Sequence, residues 1–244
     1  GGVLEISPEQ IGVVESMSGK PLPEGQFLAD EGFKGIQRSP LTPGRWRLNP
    51  FAARVELAPI TRIAPGYVGC VTALSGDYPP EGKLADEGQR GIRKKVLQPG
   101  VYYLNPREYK VEEVGIGYQQ ITLKDVSFPS KDGFTIHLDV SVVYGLLPEN
   151  VPTIISTFGN IEAVIDKIIR PQVESICRLE GSKYGAKDFI EGTSRELFQK
   201  TFTDQLVSEA RNRNVHILIG LVRDIHVPLE LREPIQKAKI ANEE

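Results

Sequence analysis

The sequence predicts an α+β protein, in which two small tandem β modules precede an α/β domain and the start of a long C-terminal helix. Three observations predict this order. A turn-rich unit with short β-prone runs occurs twice in the first half, a long alternating segment follows, and helical periodicity dominates the remainder. We therefore assign the modules to 1–62 and 63–112, the domain to 113–230 and the helix to 231–244.

The internal repeat defines the first two modules. The residues Leu-Ala-Asp-Glu-Gly stand at 28–32 and again at 84–88, and Leu-Asn-Pro stands at 48–50 and again at 104–106. Glycines and prolines recur at matching positions, as in Pro43-Gly44 and Pro99-Gly100. Repeated glycines mark backbone positions that turn in the same way twice, so each unit is predicted to be one copy of a small β module.

The second half predicts a hairpin followed by helices, one further strand and a last helix. Asp132-Gly133 is a hairpin turn signal, and the residues after it alternate apolar and polar, as in a half-buried strand. Thr193–Glu196 has the pattern of a capping box, and Pro171 predicts a kink or a break. The predicted elements are strands at 109–116, 120–128, 134–143 and 215–227, and helices at 149–158, 161–178, 193–211 and 229–244.

Composition excludes several classes of protein. A net charge of −3 and a pI of about 5.8 give no overall basic footprint for nucleic acid. No apolar run approaches the roughly 20 residues that span a bilayer, and there is no signal-peptide pattern. Cys70 replaces Val13 of the first repeat and Cys177 lies on an apolar helix face, so both are interpreted as buried, inert thiols.

No catalytic, cofactor-binding or metal site is predicted. The three histidines, His137, His216 and His226, have no partner at ligand spacing and are interpreted as surface or edge residues. Gly181-Ser182-Lys183 lacks the upstream glycine of a phosphate-binding loop.

Two loops of the form GxxG keep a nucleic-acid hypothesis open. Gly32–Gly35 contains Lys34, and Gly88–Gly91 contains Arg90. A KH module clamps a nucleic-acid backbone with such a loop. Each loop here follows an acidic pair that repels phosphate, so a repeated structural turn is the favoured interpretation. The alternative predicts RNA affinity that falls with salt and is lost on Lys34→Glu plus Arg90→Glu.

From about residue 98 onward, a series of motifs resembles the SPFH or band 7 family of stomatins, prohibitins and flotillins. No single motif is specific, but their order is that of the family. In sequence order they are Pro99–Pro106 with its Pro-Gly turn, Ser130–Ile136 with its hairpin, Ile169–Val173, Thr193–Glu196, and Asp224–Pro228 at the end of the last strand. Residues 1–62 then resemble an extra β repeat that precedes the family domain.

This resemblance implies a non-enzymatic, membrane-associated scaffold protomer without cofactors. It implies homo-oligomerisation into a large ring or cage that organises membrane microdomains or encloses membrane proteins and proteases. The expected partners are further copies of the chain, lipids reached through segments outside it, and a membrane protease or channel, but no nucleic acid. The expected location is peripheral on a membrane, or tethered by an N-terminal anchor outside this chain. A soluble, vault-like shell protein is the alternative.

The repeated charged turns are candidate contacts between protomers. They contain both signs of charge and lie at equivalent positions in the two modules, so they are suited to pair between neighbours and to set register. The alternative interpretation is that they are solvated turns. The residues concerned are Asp30, Glu31, Lys34, Asp86, Glu87 and Arg90.

Overall fold

The computed structural model describes residues 2–190 and 193–243. The chain forms two compact units. The first comprises the chain up to Gly115 together with Val151–Ser156, and the second comprises Ile116–Asn150 together with the chain from Thr157.

The first unit contains the two β modules, and each is built in the same way. Module 1 has a three-stranded sheet in the order β3-β2-β5 and a β1–β4 pair, and module 2 has a sheet in the order β8-β7-β10 and a β6–β9 pair, all antiparallel. The predicted repeat is therefore confirmed. The strands are β1 Gly2–Ile6, β2 Gln10–Ser16, β3 Gly35–Ile36, β4 Gly44–Leu48, β5 Ala53–Pro59, β6 Thr61–Ile63, β7 Tyr67–Ala73, β8 Gly91–Ile92, β9 Gly100–Tyr102 and β10 Tyr109–Gly115.

Equivalent glycines allow the same close packing in both modules. A Cβ added to Gly12 would lie 2.9 Å from the Ile6 side chain, and one added to Gly69 would lie 2.9 Å from the Ile63 side chain. Both isoleucines are buried. The two sheet layers of each module thus approach one another through a strand position that has no side chain, which explains why this glycine is repeated.

The second unit contains a three-stranded antiparallel sheet in the order β11-β12-β13. The strands are β11 Gln119–Pro129, β12 Thr135–Gly145 and β13 His216–His226. Pro129 pairs with Thr135 across the predicted Asp132-Gly133 turn, so the hairpin is confirmed. Most of helix α1, Val151–Phe158, belongs to the first unit. The α-helices of the second unit are α2 Glu162–Val164, α3 Arg170–Gly181, α4 Ser194–Arg211 and α5 Leu229–Glu243. Together the two units confirm the predicted α+β class.

Two local helix predictions need correction. The predicted capping box is absent, because Thr193 takes helical angles (φ −75°, ψ −13°) and its side chain makes no cap hydrogen bond. An N-cap hydroxyl reaches the next turn only from extended backbone. Pro171 is predicted to kink or break its helix. A break is wrong, because the backbone stays helical, but Ile165–Ile169 widens to π-helical geometry immediately before α3, so the helix is irregular next to the proline. That α5 begins a longer helix stays a prediction.

An aromatic cluster forms the core of the second unit. Phe198 of α4 lies 6.0 Å from the ring centre of Phe128 in β11, 5.4 Å from that of Phe189 and 6.2 Å from that of Phe202. These four phenylalanines are buried. Gly181, in the last turn of α3, lies directly against the Phe128 ring. The sheet and the helices α3 and α4 thus meet at one set of rings.

A buried carboxylate ties α3 to α4. Glu180 is 4% exposed, and its carboxylate accepts hydrogen bonds from Lys183 Nζ at 2.9 Å and from Gln205 Nε2 at 2.5 Å. The hydrogen bond from Lys183 is the main cause that lowers the pKa of Glu180. The ionised carboxylate is therefore part of the folded structure, and folding is linked to its proton.

Glu180→Gln is expected to lower the free energy of unfolding by about 1–2 kcal/mol at neutral pH. Because the folded-state pKa is lowered, the contribution is present above the ordinary glutamate pKa and disappears as pH falls through the folded-state value. The difference between wild type and variant should therefore shrink below about pH 4. Urea unfolding followed by circular dichroism at several pH values measures it. A difference that stays constant with pH would contradict the ionic role.

Candidate interaction surface of the tandem modules

The two acidic turns predicted as protomer contacts each form an ion pair inside their own module. Asp30 Oδ1 lies 3.1 Å from Arg38 Nε, and Asp86 lies 3.0 Å from Lys94 Nζ. In both modules the basic partner stands eight residues after the aspartate. These exposed pairs fix the turn and are worth at most about 1 kcal/mol each.

The other predicted contact residues differ in their surroundings. Arg90 is half-buried; its guanidinium lies 5.0 Å from the ring centre of Tyr78 and donates a hydrogen bond to the Tyr78 hydroxyl at 2.9 Å. Glu31, Lys34 and Glu87 are exposed. Arg90 thus packs on an aromatic ring of its own module, and whether the six residues contact another protomer stays a prediction.

Arg38, which the sequence did not single out, joins module 1 to module 2. Its Nη1 donates to Glu108 Oε1 at 3.0 Å while its Nε binds Asp30. The Glu108 hydrogen bond is the largest cause that raises the pKa of Arg38. Glu108 is only 13% exposed, so this pair is less screened than a surface pair. Two exposed pairs, Arg62–Glu9 and Arg107–Glu56, link the modules as well. Arg62 counts here with module 2, because its strand β6 pairs with β9.

Asn105 is the buried polar centre of the same contact. Its side-chain amide donates to the carbonyl oxygens of Gln37 at 2.9 Å and Arg38 at 3.2 Å, and it is 1% exposed. Its Oδ1 accepts the Arg107 backbone N–H at 2.9 Å. The repeated Leu-Asn-Pro motif marked this asparagine, but the sequence could not show that module 1 would bury it.

A cleft of about 460 Å³ opens beside this contact, between the two modules. Its wall includes Phe27 and Arg38 of module 1 and Arg93 and Tyr109 of module 2. The Arg93 guanidinium lies 5.5 Å from the Tyr109 ring centre, and burial is the main cause that raises the pKa of Tyr109. Charged groups of both signs line the cleft, so it is suited to polar contacts and to no single strongly charged ligand.

The thiols and histidines match their predicted surroundings. Cys70 and Cys177 are both buried and unpaired, and burial raises the pKa of Cys70 to about 11 and that of Cys177 to about 12. Such thiols are poor nucleophiles at neutral pH. His137 binds the exposed Asp125 at 2.6 Å. Within residues 2–190 and 193–243, no group of three or more His, Cys, Asp or Glu is positioned to hold a metal ion.

The two GxxG loops lie between strands. Gly32–Gly35 runs into β3, and Gly88–Gly91 runs into β8. Gly19 and Gly76, which precede the loops, pack against the carbonyls of Gly32 and Gly88. A KH loop joins two helices, so these loops have the geometry of the repeated structural turn.

Comparison with models of protein families shows the family to which the chain belongs. The model of the SPFH domain / Band 7 family matches residues 61–244, which is more than half of the chain. The chain belongs to the SPFH domain / Band 7 family. The match begins at Thr61, the first residue of β6, so module 2 lies inside the family domain and module 1 precedes it. No curated protein sequence matches the chain.

SPFH proteins are generally membrane-associated, non-enzymatic scaffolds. The predicted family is confirmed. The match begins two residues before residue 63, the start of the second β repeat, which the sequence predicts to be the entry part of the family domain. No helix in the described part of this SPFH protein is long and apolar enough to cross a bilayer.

Proposed function

We propose that this SPFH protein is a scaffold protomer that assembles with further copies into a large ring or cage on a membrane. The assembly would organise membrane microdomains or enclose membrane proteins such as a protease or channel. The observation that carries this proposal is the family match over residues 61–244. Membrane association would be peripheral or would use an anchor outside the present chain.

The tandem modules support assembly by a physical argument. A contact between two different faces of one protein can repeat from copy to copy, and it closes into a ring when its rotation allows. Within one chain, the two modules already contact each other through two different faces. Asn105 and the Arg38–Glu108 pair join these faces. Two stacked modules also lengthen the surface that each protomer can offer to a neighbour.

The test is particle size in the membrane fraction of cells that express the complete gene. Gently solubilised membranes are imaged by negative stain, and particle mass is measured in parallel by light scattering. Closed rings or domes that sediment with membranes would support the scaffold. Small soluble monomers would overturn it.

A soluble, vault-like shell is the second candidate, favoured by one observation. Module 1 repeats the sheet order of module 2 immediately before the family domain, and stacked β modules are suited to the wall of a particle. In the same experiment, closed particles that remain in the soluble fraction would favour the shell over the membrane scaffold.

A further inference from the structure

The contact between the two modules has two distinct sides. We name the turn that carries Asn105, residues 104–106, the asparagine turn of module 2. It inserts against the carbonyls of Gln37 and Arg38, which we name the receiving face of module 1. Both modules have an asparagine turn and a receiving face. Within one chain, the asparagine turn of module 2 contacts the receiving face of module 1.

Module 1 has an asparagine turn of the same geometry, at residues 48–50, and it is free. Asn49 Oδ1 accepts the Phe51 N–H at 3.0 Å, as Asn105 Oδ1 accepts the Arg107 N–H at 2.9 Å. Asn49 is exposed, and Phe51 beside it is 91% exposed. The asparagine that is buried in module 2 is thus exposed in module 1, and a large, exposed apolar ring stands next to it.

Module 2 has a receiving face of the same geometry. In module 1, Ala29 N donates to Ile36 O at 2.7 Å and Arg38 N donates to Ala29 O at 2.9 Å. In module 2, Ala85 N donates to Ile92 O at 2.7 Å and Lys94 N donates to Ala85 O at 3.1 Å. A groove of about 550 Å³, lined by Ala85, Asp86, Glu87, Arg93, Lys94 and Lys95, opens at this face.

We propose that the free asparagine turn of one copy inserts into the free receiving face of a second copy. The Asn49 amide would then donate to the carbonyls of Arg93 and Lys94 of the second copy, as Asn105 donates within the chain. The contact continues the intramolecular one from copy to copy. It rests on the proposed self-assembly and names the surface that carries it.

Two substitutions distinguish the new contact from its template. Ala52 stands where module 2 has Glu108, so the ion pair with the receiving face is missing. Phe51 stands where module 2 has Arg107, so apolar burial replaces an exposed ion pair. The contact between copies should therefore be weaker than the contact within the chain. The contact within the chain is also favoured by the short linker between the modules, which gives them a high effective concentration. It should also depend little on salt.

Cross-linking of two tagged forms of the complete gene product tests the proposal. One form carries Ala52→Cys and the other Lys94→Cys, at the positions equivalent to the Glu108–Arg38 pair, and a short bismaleimide joins them. Only the mixture should give a cross-linked dimer, because the two faces differ. Both native cysteines are buried. One chain with Arg38→Cys and Glu108→Cys serves as the positive control.

Two further variants probe the contact without disturbing the turn. Asn49→Asp keeps the oxygen that accepts the Phe51 N–H and removes the donor amide, and Phe51→Ala removes the exposed ring. Each should lower the cross-linking yield about tenfold. Asn160→Asp, another exposed asparagine whose oxygen accepts a backbone N–H, and Leu179→Ala, which removes an exposed apolar side chain of α3, are the matched controls and should leave it unchanged.

The outcomes separate this inference from the proposed function. Large assemblies with the mixed cross-link support both. Large assemblies without it, or with equal cross-linking of each form to itself, overturn the inference and leave the scaffold standing. Absence of any assembly of the wild-type protein overturns both.

Discussion

Asn105→Asp is expected to lower the free energy of unfolding of the first unit by about 3–5 kcal/mol at pH 7. The substitution replaces a buried donor with a carboxylate oxygen that faces the carbonyls of Gln37 and Arg38. The carboxylate would keep the Arg107 N–H as a donor to one oxygen, but its other oxygen would face two carbonyl oxygens, so the buried charge is poorly compensated. The single tryptophan, Trp46, lies in module 1, so its fluorescence during urea unfolding measures this unit.

The pH dependence identifies the cause of that loss. Burial would raise the folded-state pKa of the introduced carboxylate above its ordinary value of about 3.9. The destabilisation is then complete above the folded-state pKa and shrinks as pH falls from that value towards about 4. Below about 4 the group is protonated in both states and the charge no longer contributes to the loss.

Asn49→Asp is the matched control for this prediction. Asn49 occupies the equivalent turn and accepts the equivalent N–H, but it is exposed. In dilute monomeric protein it should cost less than about 0.5 kcal/mol. Equal losses at the two positions would show that the turn matters and the burial between modules does not.

The comparison of Asn49 with Asn105 also shows what the sequence could predict. The repeat predicts local structure, because the same glycines and Leu-Asn-Pro turns favour the same backbone conformation in both modules. The two copies of one small β module and the Asp132-Gly133 hairpin were predictable, because their signals are local, whereas the strand order within each module was not predicted. Which copy of the asparagine becomes buried depends on packing between modules, and the two copies have the same local sequence.

The charged turns illustrate the same limit. The sequence shows Asp30 and Asp86 as acidic residues at equivalent positions of the repeat. Their ion-pair partners, Arg38 and Lys94, stand eight residues away across a turn. Neither strand nor helix periodicity predicts that contact. Arg38 acquires its second partner, Glu108, from 70 residues further along the chain. The prediction of a capping box was wrong for a related reason. The residue types of the box are present, but the backbone at Thr193 is helical.

The second large effect is expected at Gly181, where a methyl group should cost about 3 kcal/mol. Alanine favours a helix over glycine by up to about 1 kcal/mol, so propensity alone predicts stabilisation. The added Cβ, however, would overlap the Phe128 ring, and its third-nearest ring atom is 2.9 Å away. Phe128 cannot withdraw easily, since Phe189 and Phe198 lie 5.6 Å and 6.0 Å from its ring centre.

Gly117→Ala is the matched control, because a Cβ there would have no heavy atom within 4 Å. The loss at Gly181 should appear in circular dichroism and in hydrogen exchange of α3 and β11.

A double variant decides the mechanism. Phe128→Leu opens space and costs stability alone, but combined with Gly181→Ala it should cost less than the sum of the two single losses. Additive losses would show that the ring is not what excludes the methyl group. Gly181 would then be required by the backbone at the end of α3, and the aromatic core would tolerate more change than its packing indicates.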